Sequence, residues 1–217
     1  RKKRVDVLVV AIHNETVDKY RSIIQGSGLK DNFLELEVFS MARATFGNNT
    51  APVMLLDFGA GTTKLAIIEY GIIRNQHIIN RGSQDITISI SKSMGVSIEK
   101  AEHLKRDIGL SGTGTDADIS KAASLTLEHI FSETNRVLLN YQRRYNKTIK
   151  NVVLTGGGAL LKGLHDFASS NLETEVLFAD PFSKVEAPAF LEPLLKDAGP
   201  EFSVAVGLAL RKLQELG

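Results

Sequence analysis

Two glycine-rich corners hold most of the chemistry open to this sequence: Asp57-Phe58-Gly59-Ala60-Gly61-Thr62-Thr63-Lys64 and Thr155-Gly156-Gly157-Gly158-Ala159-Leu160-Leu161-Lys162-Gly163. A phosphate is bound by several donors aimed inward, and the simplest are backbone N–H groups in a turn with no side chains blocking approach. Gly59 and Gly61 supply such a turn. Thr62 and Thr63 add hydroxyl donors, and Asp57, leaving a strand at the mouth of the turn, is placed to hold a magnesium ion through water. Gly156, Gly157 and Gly158 would let main chain lie flat against a base or ribose, which depends on missing side chains more than on charge. Glu102 and Lys105 stand three apart on one helical face. There a carboxylate can take ribose hydroxyl protons and an ammonium can flank a purine. Together the corners read as the two halves of a nucleotide grip.

Each feature also has a plain structural alternative. The first corner can be a tight hairpin turn where glycine relieves strain, the second a crowded strand-to-helix corner, and Glu102 with Lys105 a surface ion pair. Two standard phosphate motifs do not apply. Gly59-x-Gly61-x-x-Lys64 lacks the third glycine of a dinucleotide fingerprint and opens a strand rather than a helix. Gly158-x-x-x-x-Gly163 is followed by Leu164 and His165 instead of the Lys and Ser or Thr of a P-loop.

The elements that must position these corners follow from periodicity and turn chemistry. Val53 to Leu56 and Leu65 to Tyr70 flank the first corner as strands, making it a β-hairpin tip, and the second corner joins a strand, Val152 to Leu154, to a helix from about Leu160 to Ser170. Upstream, the pattern predicts a strand over Val5 to Ala11, a helix from Thr16 to Gln25 capped by Asn14 and ended by Gly26 and Gly28, a strand from Leu34 to Val38, and a short helix from Ser40 to Thr45. Gly47-Asn48-Asn49-Thr50 and Pro52 form the clearest break and predict a domain boundary. Downstream come a strand-like run at Gln76 to Asn80, a helix from Ile86 to Met94 started by Gly82 to Asp85 and stopped by Gly95, and a helix through Arg106 capped by Ser97. The segment Gly109 to Thr115 is expected to be a mobile loop. The longest helix spans about Asp118 to Tyr145, with Ile119, Ala122, Ala123, Thr126, Leu127, Ile130, Phe131, Val137, Leu138 and Tyr141 along one stripe. A strand from Thr174 to Phe178 and a last helix from Phe202 to Leu216, with Gly207 allowing close contact, complete the pattern.

Composition narrows the classes. With 217 residues and 43% hydrophobic content, the chain can bury a core. A net charge of +1 gives no electrostatic footprint for nucleic acid. Arg143, Arg144, Lys147 and Lys150 complement the dipole at the end of the longest helix. The absence of cysteine excludes disulfides, thiolate metal sites and cysteine nucleophiles, and fits a reducing compartment. The histidines, His13, His77, His103, His129 and His165, lack metal-ligand spacing. No run approaches the roughly 20 apolar residues of a membrane span, so the expectation is a soluble, cytoplasmic chain. Arg1-Lys2-Lys3-Arg4, entering a strand-like run without a methionine, reads as a solvated basic end on a piece of something longer.

The order of features resembles the second half of the actin-like ATPase superfamily: strand-Asp-x-Gly-x-Gly-Thr-hairpin, then Ala101-Glu102-x-x-Lys105, then Thr155-Gly156-Gly157 before a helix. Within it, the chain is most similar to the type IV pilus assembly protein PilM family, with the cell-division protein FtsA next. The stretches Leu29 to Ala44, Val53 to Ile68, Gly82 to Ile86, Ala101 to Arg106, Val152 to Leu164, and Phe190-Leu191-Glu192-Pro193 through Arg211 carry the similarity. The resemblance implies an α/β, actin-like (ribonuclease H-like) fold with a mixed sheet flanked by helices and an incomplete first lobe. Residues 1–50 would be the tail of that lobe and 51–217 the second lobe, with its core at 51–81 and 149–201, an inserted helical subdomain at 82–148, and a final helix at 202–217 packing back.

The resemblance further implies ATP or ADP with magnesium as ligands. Asp57, Gly59, Gly61, Thr62 and Thr63 would serve the phosphates and metal, Glu102 and Lys105 the ribose and base, and Gly156, Gly157 and Gly158 the adenosine. Glu37 falls where chaperone-type relatives keep a carboxylate near the attacking water, although Val38 follows it here instead of proline. Nothing before Asp57 resembles the second Asp-x-Gly loop with which relatives open, so the expected activity is at most a weak ATPase. The implied role is a cytoplasmic scaffold of a type IV pilus or related competence or secretion machine. It would dock the cytoplasmic tail of an inner-membrane, PilN-like partner, meet other assembly subunits, and sit at the inner membrane through those partners. The alternatives are an FtsA-like filament protein, a small-molecule kinase whose only spare carboxylate is Asp85, and an interaction module that has lost nucleotide.

Overall fold

The apolar runs in the middle of the chain assemble one five-stranded mixed sheet. The computed structural model describes residues 7–29, 33–47 and 51–216. Its strands are β1 (Val53–Phe58), β2 (Thr63–Glu69), β3 (Ile72–Ile79), β4 (Asn151–Thr155) and β5 (Glu175–Phe178), in the order β3-β2-β1-β4-β5. β2 is antiparallel to β1 and β3, whereas β1–β4 and β4–β5 are parallel. Tyr70 (φ 52°) and Gly71 (φ 72°) turn β2 into β3, the consecutive left-handed pair that tight hairpins need. Every residue of β1 is buried, Asp57 included, as expected of a central strand when helices cover both sheet faces.

The helices are α1 (Asn14–Gly26), α2 (Glu37–Thr45), α3 (Ser83–Met94), α4 (Ile98–Asp107), α5 (Ala117–Tyr145), α6 (Leu164–Asn171) and α7 (Glu192–Leu216). On one face Met54, Leu56, Phe58, Leu65 and Ile67 pack with Ile86 and Ile90 of α3, Leu127 and Phe131 of α5 and Leu164 of α6. Each large side chain removed from water there contributes about 2 kcal/mol. On the other face Val53, Leu55, Ala66, Ile68 and Val153 pack with Val38 and Met41 of α2 and Val204 of α7. The expected α5 stripe is buried from Ile119 to Tyr141, except that Val137 and Leu138 are half-buried and Thr134 joins it. Gly95 (φ 64°) ends α3, and the Ser97 hydroxyl accepts the Lys100 N–H to start α4, both as expected.

Several expectations change. No strand forms over Leu34 to Val38. Instead α2 starts at Glu37, because Val38, Met41 and Ala44 recur at helical spacing and are buried together. Glu35, just ahead, is clamped by Ser40 (2.6 Å), Arg43 (2.6 and 2.8 Å) and Arg211 (3.2 Å), and the Arg43 hydrogen bonds hold its carboxyl below the usual carboxylate range. Of the predicted strand at Val5 to Ala11, the described part, Val7 to Ala11, is exposed and in no ladder. The basic Arg1 to Arg4 and the Asn48 to Thr50 part of the predicted boundary lie outside the described residues.

Two further differences concern helix starts. The second corner first makes a tight 3-10 turn, Gly157–Leu160, and Gly163 (φ 78°) breaks the chain again before α6 begins at Leu164. α7 begins at Glu192, well before Phe202, with Pro200 inside it. Proline leaves the carbonyl one turn earlier without its helical donor, but the Pro200 carbonyl itself accepts from the Gly156 N–H and the Thr155 hydroxyl, both at 2.9 Å. The Gly109 to Thr115 segment is fastened down: Leu110 N–H donates to the Lys162 carbonyl (2.9 Å) and Gly112 N–H to the Ser120 hydroxyl (2.8 Å). Among the described residues, no helix is long and apolar enough to cross a membrane.

Candidate functional site

The parallel pairing of β1 with β4 sets Asp57 beside Thr155, so both glycine corners leave the sheet at the carboxyl ends of adjacent strands. Ligands of open α/β sheets bind outside such ends. A hollow of about 350 Å³ lies there, lined by Glu37, Asp57, Gly59, Gly61, Thr62 and Lys64 on one side and by Gly156, Gly157 and Glu201 on the other. A second hollow of about 480 Å³ is lined by Ser83, Glu102, Lys105, Arg106, Gly157, Gly158, Leu160 and Leu161. Ala60, Gly157 and Glu201 line both.

The glycines divide by what stands behind them. At Gly61 an added β-carbon would meet nothing within 4 Å, and at Gly157 it would meet only Glu201, at 3.5 Å. These two face open space. A β-carbon at Gly156 (φ 85°) would lie 2.5 Å from Oδ1 of Asp57, and one at Gly158 would lie 2.6 Å from the Phe58 carbonyl oxygen. Gly156 and Gly158 therefore let the second corner pack against the end of β1, and Gly156 lines the first hollow, not the second. The tip of the first corner is fixed in turn by α3. Ser83 and Gln84 donate their N–H groups to the Gly59 and Ala60 carbonyls, at 3.0 and 2.9 Å. Gly82 comes so close that a β-carbon there would stand 2.3 Å from the Ala60 carbonyl oxygen. Held this way, the tip leaves the Ala60 and Gly61 N–H groups with no acceptor among the described residues.

Two groups of side chains give the hollows their charge. Burial pushes the Asp57 carboxyl up to about 6; Lys64 opposes this and Glu37 adds to it. Lys64 Nζ stands 3.7 Å from Asp57 Oδ2 and contacts Glu37 Oε2. In the second hollow, burial alone would raise the Glu102 carboxyl, but hydrogen bonds from Lys105, Thr87 and Arg106 outweigh it and bring it down to about 2. The donors lie at 2.7 Å (Lys105), 2.7 Å (Thr87) and 2.8 Å (Arg106). Lys105, itself buried, also donates to the Thr87 hydroxyl (3.0 Å) and the Ser83 carbonyl (3.2 Å). Glu102 is thus an ionised, pre-oriented acceptor.

Of the residues expected at a site, Glu37, Asp57, Gly59, Gly61, Thr62, Glu102, Lys105, Gly156, Gly157 and Gly158 line these hollows. Thr63 does not. Alternation along β2 buries it, and its hydroxyl donates to the Arg81 carbonyl at 2.9 Å. Asp85, the spare carboxylate of the kinase alternative, accepts the Gly82 N–H at 2.8 Å as a cap on α3 and lines neither hollow. The sequence pattern assigns no role to Glu201, which precedes the helix expected from Phe202, nor to Lys64, although its place facing Asp57 across the hairpin is a usable signal.

The family model described as Type IV pilus assembly protein PilM matches residues 1–213. Cell division protein FtsA of Neisseria meningitidis is 27% identical, over 94% of this chain and 53% of its own length. FtsA of Helicobacter pylori is 26% identical, over 96% of this chain and 48% of its own. The chain thus spans about half the length of the curated relatives it matches. Among solved structures, a PilM–PilN type IV pilus biogenesis complex superposes with a TM-score of 0.79 at 25% identity, over 91% of this chain and 58% of that one. MreB5 of Spiroplasma citri bound to AMPPNP gives 0.69 at 16% identity, over 94% of this chain and 66% of that one, a likeness of fold.

Proposed function

This chain belongs to the type IV pilus assembly protein PilM family and has an actin-like α/β fold, and from that premise we propose that it is the nucleotide-binding module of a scaffold protein in type IV pilus, competence or related secretion assembly. The observation that carries the proposal is the common wall of Ala60, Gly157 and Glu201 between the two hollows, since one extended ligand can lie across both. The phosphates of ATP or ADP would rest on the unpaired Ala60 and Gly61 N–H groups and the Thr62 hydroxyl. The nucleoside would lie along Gly157 and Gly158, with Glu102 accepting from ribose hydroxyls and Lys105 flanking the base.

The residues present fit a nucleotide better than a metal held by protein alone. The Gly61 cradle is open and the glycine-tip donors are free, but among the described residues there is no group of three or more His, Cys, Asp or Glu side chains fit for a metal ion. A magnesium ion arriving with the nucleotide would have to share Asp57 with the Lys64 ammonium, which already stands 3.7 Å from that carboxylate. Glu37 is held by Lys64, and with its carboxylate engaged there slow hydrolysis at most is expected.

We also assign residues 1–50 to the tail of a first lobe and 51–217 to a second. The PilM–PilN complex supports a PilN-like cytoplasmic tail as the docked partner, which would bring this chain to the inner face of the inner membrane. Calorimetric titration with Mg-ADP tests the nucleotide reading; saturable heat in this chain that is absent from Gly61→Val is the expected result. The FtsA relatives favour one second reading, a filament-forming protein, for which ATP-dependent sedimentation is the test.

A further inference from the structure

Lys64 is the one residue of the first glycine corner whose charge the nucleotide reading leaves unused. It is the second residue of β2, directly opposite Asp57 on β1, and Glu37 reaches the same point from the first turn of α2. All three side chains line the first hollow together with Gly61 and Thr62. The ammonium contacts Glu37 Oε2 and stands 3.7 Å from Asp57 Oδ2. It therefore occupies the place, between two carboxylates, that a divalent ion would need.

We propose that Lys64 is a resident counter-cation of this hollow, so that the chain takes a nucleoside diphosphate without a divalent ion. The inference rests on the nucleotide reading above. A lysine ammonium carries three protons, and two carboxylates occupy at most two of those directions, which leaves a donor for a phosphate oxygen arriving at the glycine tip. A divalent ion approaching Asp57 meets the positive charge of Lys64 first, and the two carboxylates it would use are already compensated. Arginine would keep the charge, whereas methionine keeps the length and apolar stem but removes it.

The test is titration of the full 217-residue chain with ADP, once in magnesium chloride and once in EDTA, alongside Lys64→Met and Lys64→Arg, with thermal melts to establish that each variant is folded. The parent and Lys64→Arg are expected to bind with Kd values within about threefold in the two buffers. Lys64→Met is expected to lose about tenfold or more in EDTA and to recover in magnesium, because Asp57 and Glu37 are then free to take the ion. Magnesium chloride alone should give binding heat with Lys64→Met and none with the parent. A parent that needs magnesium, or a Lys64→Met protein that binds equally in both buffers, overturns the role of Lys64 while leaving the nucleotide site standing. No heat from ADP in either buffer overturns both.

Discussion

A β-carbon placed on Gly156 would stand 2.5 Å from Oδ1 of Asp57. The two glycine corners, far apart in sequence, are therefore in contact through one glycine and one carboxylate at the ends of neighbouring strands. That contact buries Asp57 and fixes the spacing between the hairpin tip and the second corner, so the geometry of the hollow and the ionisation of its carboxylate have a single structural cause.

The burial has a pH signature. The Asp57 carboxyl goes from its ordinary 3.8 to about 6 in the folded chain, so the folded state holds its proton more tightly than the unfolded chain does. Below pH 3.8 both states are protonated and there is no penalty. As pH rises through about 6 the folded protein loses up to about 3 kcal/mol relative to that limit. Asp57→Asn, which cannot ionise, should unfold at higher denaturant than the parent near pH 7.5, with the difference shrinking toward pH 4. Chemical denaturation of both proteins across this window measures it, and a variant less stable at neutral pH would contradict the account.

Glycines of the two corners should respond in opposite ways. Gly61→Val places its side chain where nothing lies within 4 Å, so the melting temperature should stay within a degree or two of the parent while Mg-ADP binding is lost. Gly156→Ala meets both the Asp57 carboxylate and a φ of 85°, and should cost about 2–3 kcal/mol of stability. Paired melts and titrations separate the two effects. A Gly61→Val protein that binds normally would remove the tip from the phosphate site.

The α2–α7 contact is set at Gly207, where a β-carbon would stand 1.9 Å from the Ser40 carbonyl oxygen. Alanine is the better helix former by about 1 kcal/mol, yet the overlap is with main chain that cannot rotate away. Overpacking of this kind costs about 1–3 kcal/mol or more, so the clash wins and Gly207→Ala should lower the urea midpoint. A midpoint raised by the propensity gain would show that the two helices can slide apart freely.

Elements decided by local pattern were legible in the sequence, and those decided by distant partners were not. The β1–β2 hairpin, the Ser97 cap and most of the α5 stripe follow from runs, caps and a 3.6-residue period. Leu34, Leu36 and Val38 alternate like a strand, but the clamp of Arg43 and Arg211 on Glu35 and the α7 groove at Gly207 select a helix from Glu37 onward. The last helix, expected from Phe202, starts at Glu192 and runs through Pro200, and nothing nearby in sequence reveals that the Pro200 carbonyl serves Gly156 and Thr155. The same holds for the glycine trio. What distinguishes Gly157 from Gly156 and Gly158 is the end of β1 behind the latter two, which no local motif encodes.

The measurement that bears most directly on the nucleotide site is an amide-resolved NMR titration of the isotope-labelled chain with Mg-ADP. Saturable shifts concentrated at Gly59 to Thr62, at Gly157 and Gly158, and at Glu102 to Arg106 are the predicted result, since these segments line the two joined hollows. Shifts confined to other surfaces, or a spectrum unchanged at saturating ligand, would contradict the assignment of these corners to a nucleotide.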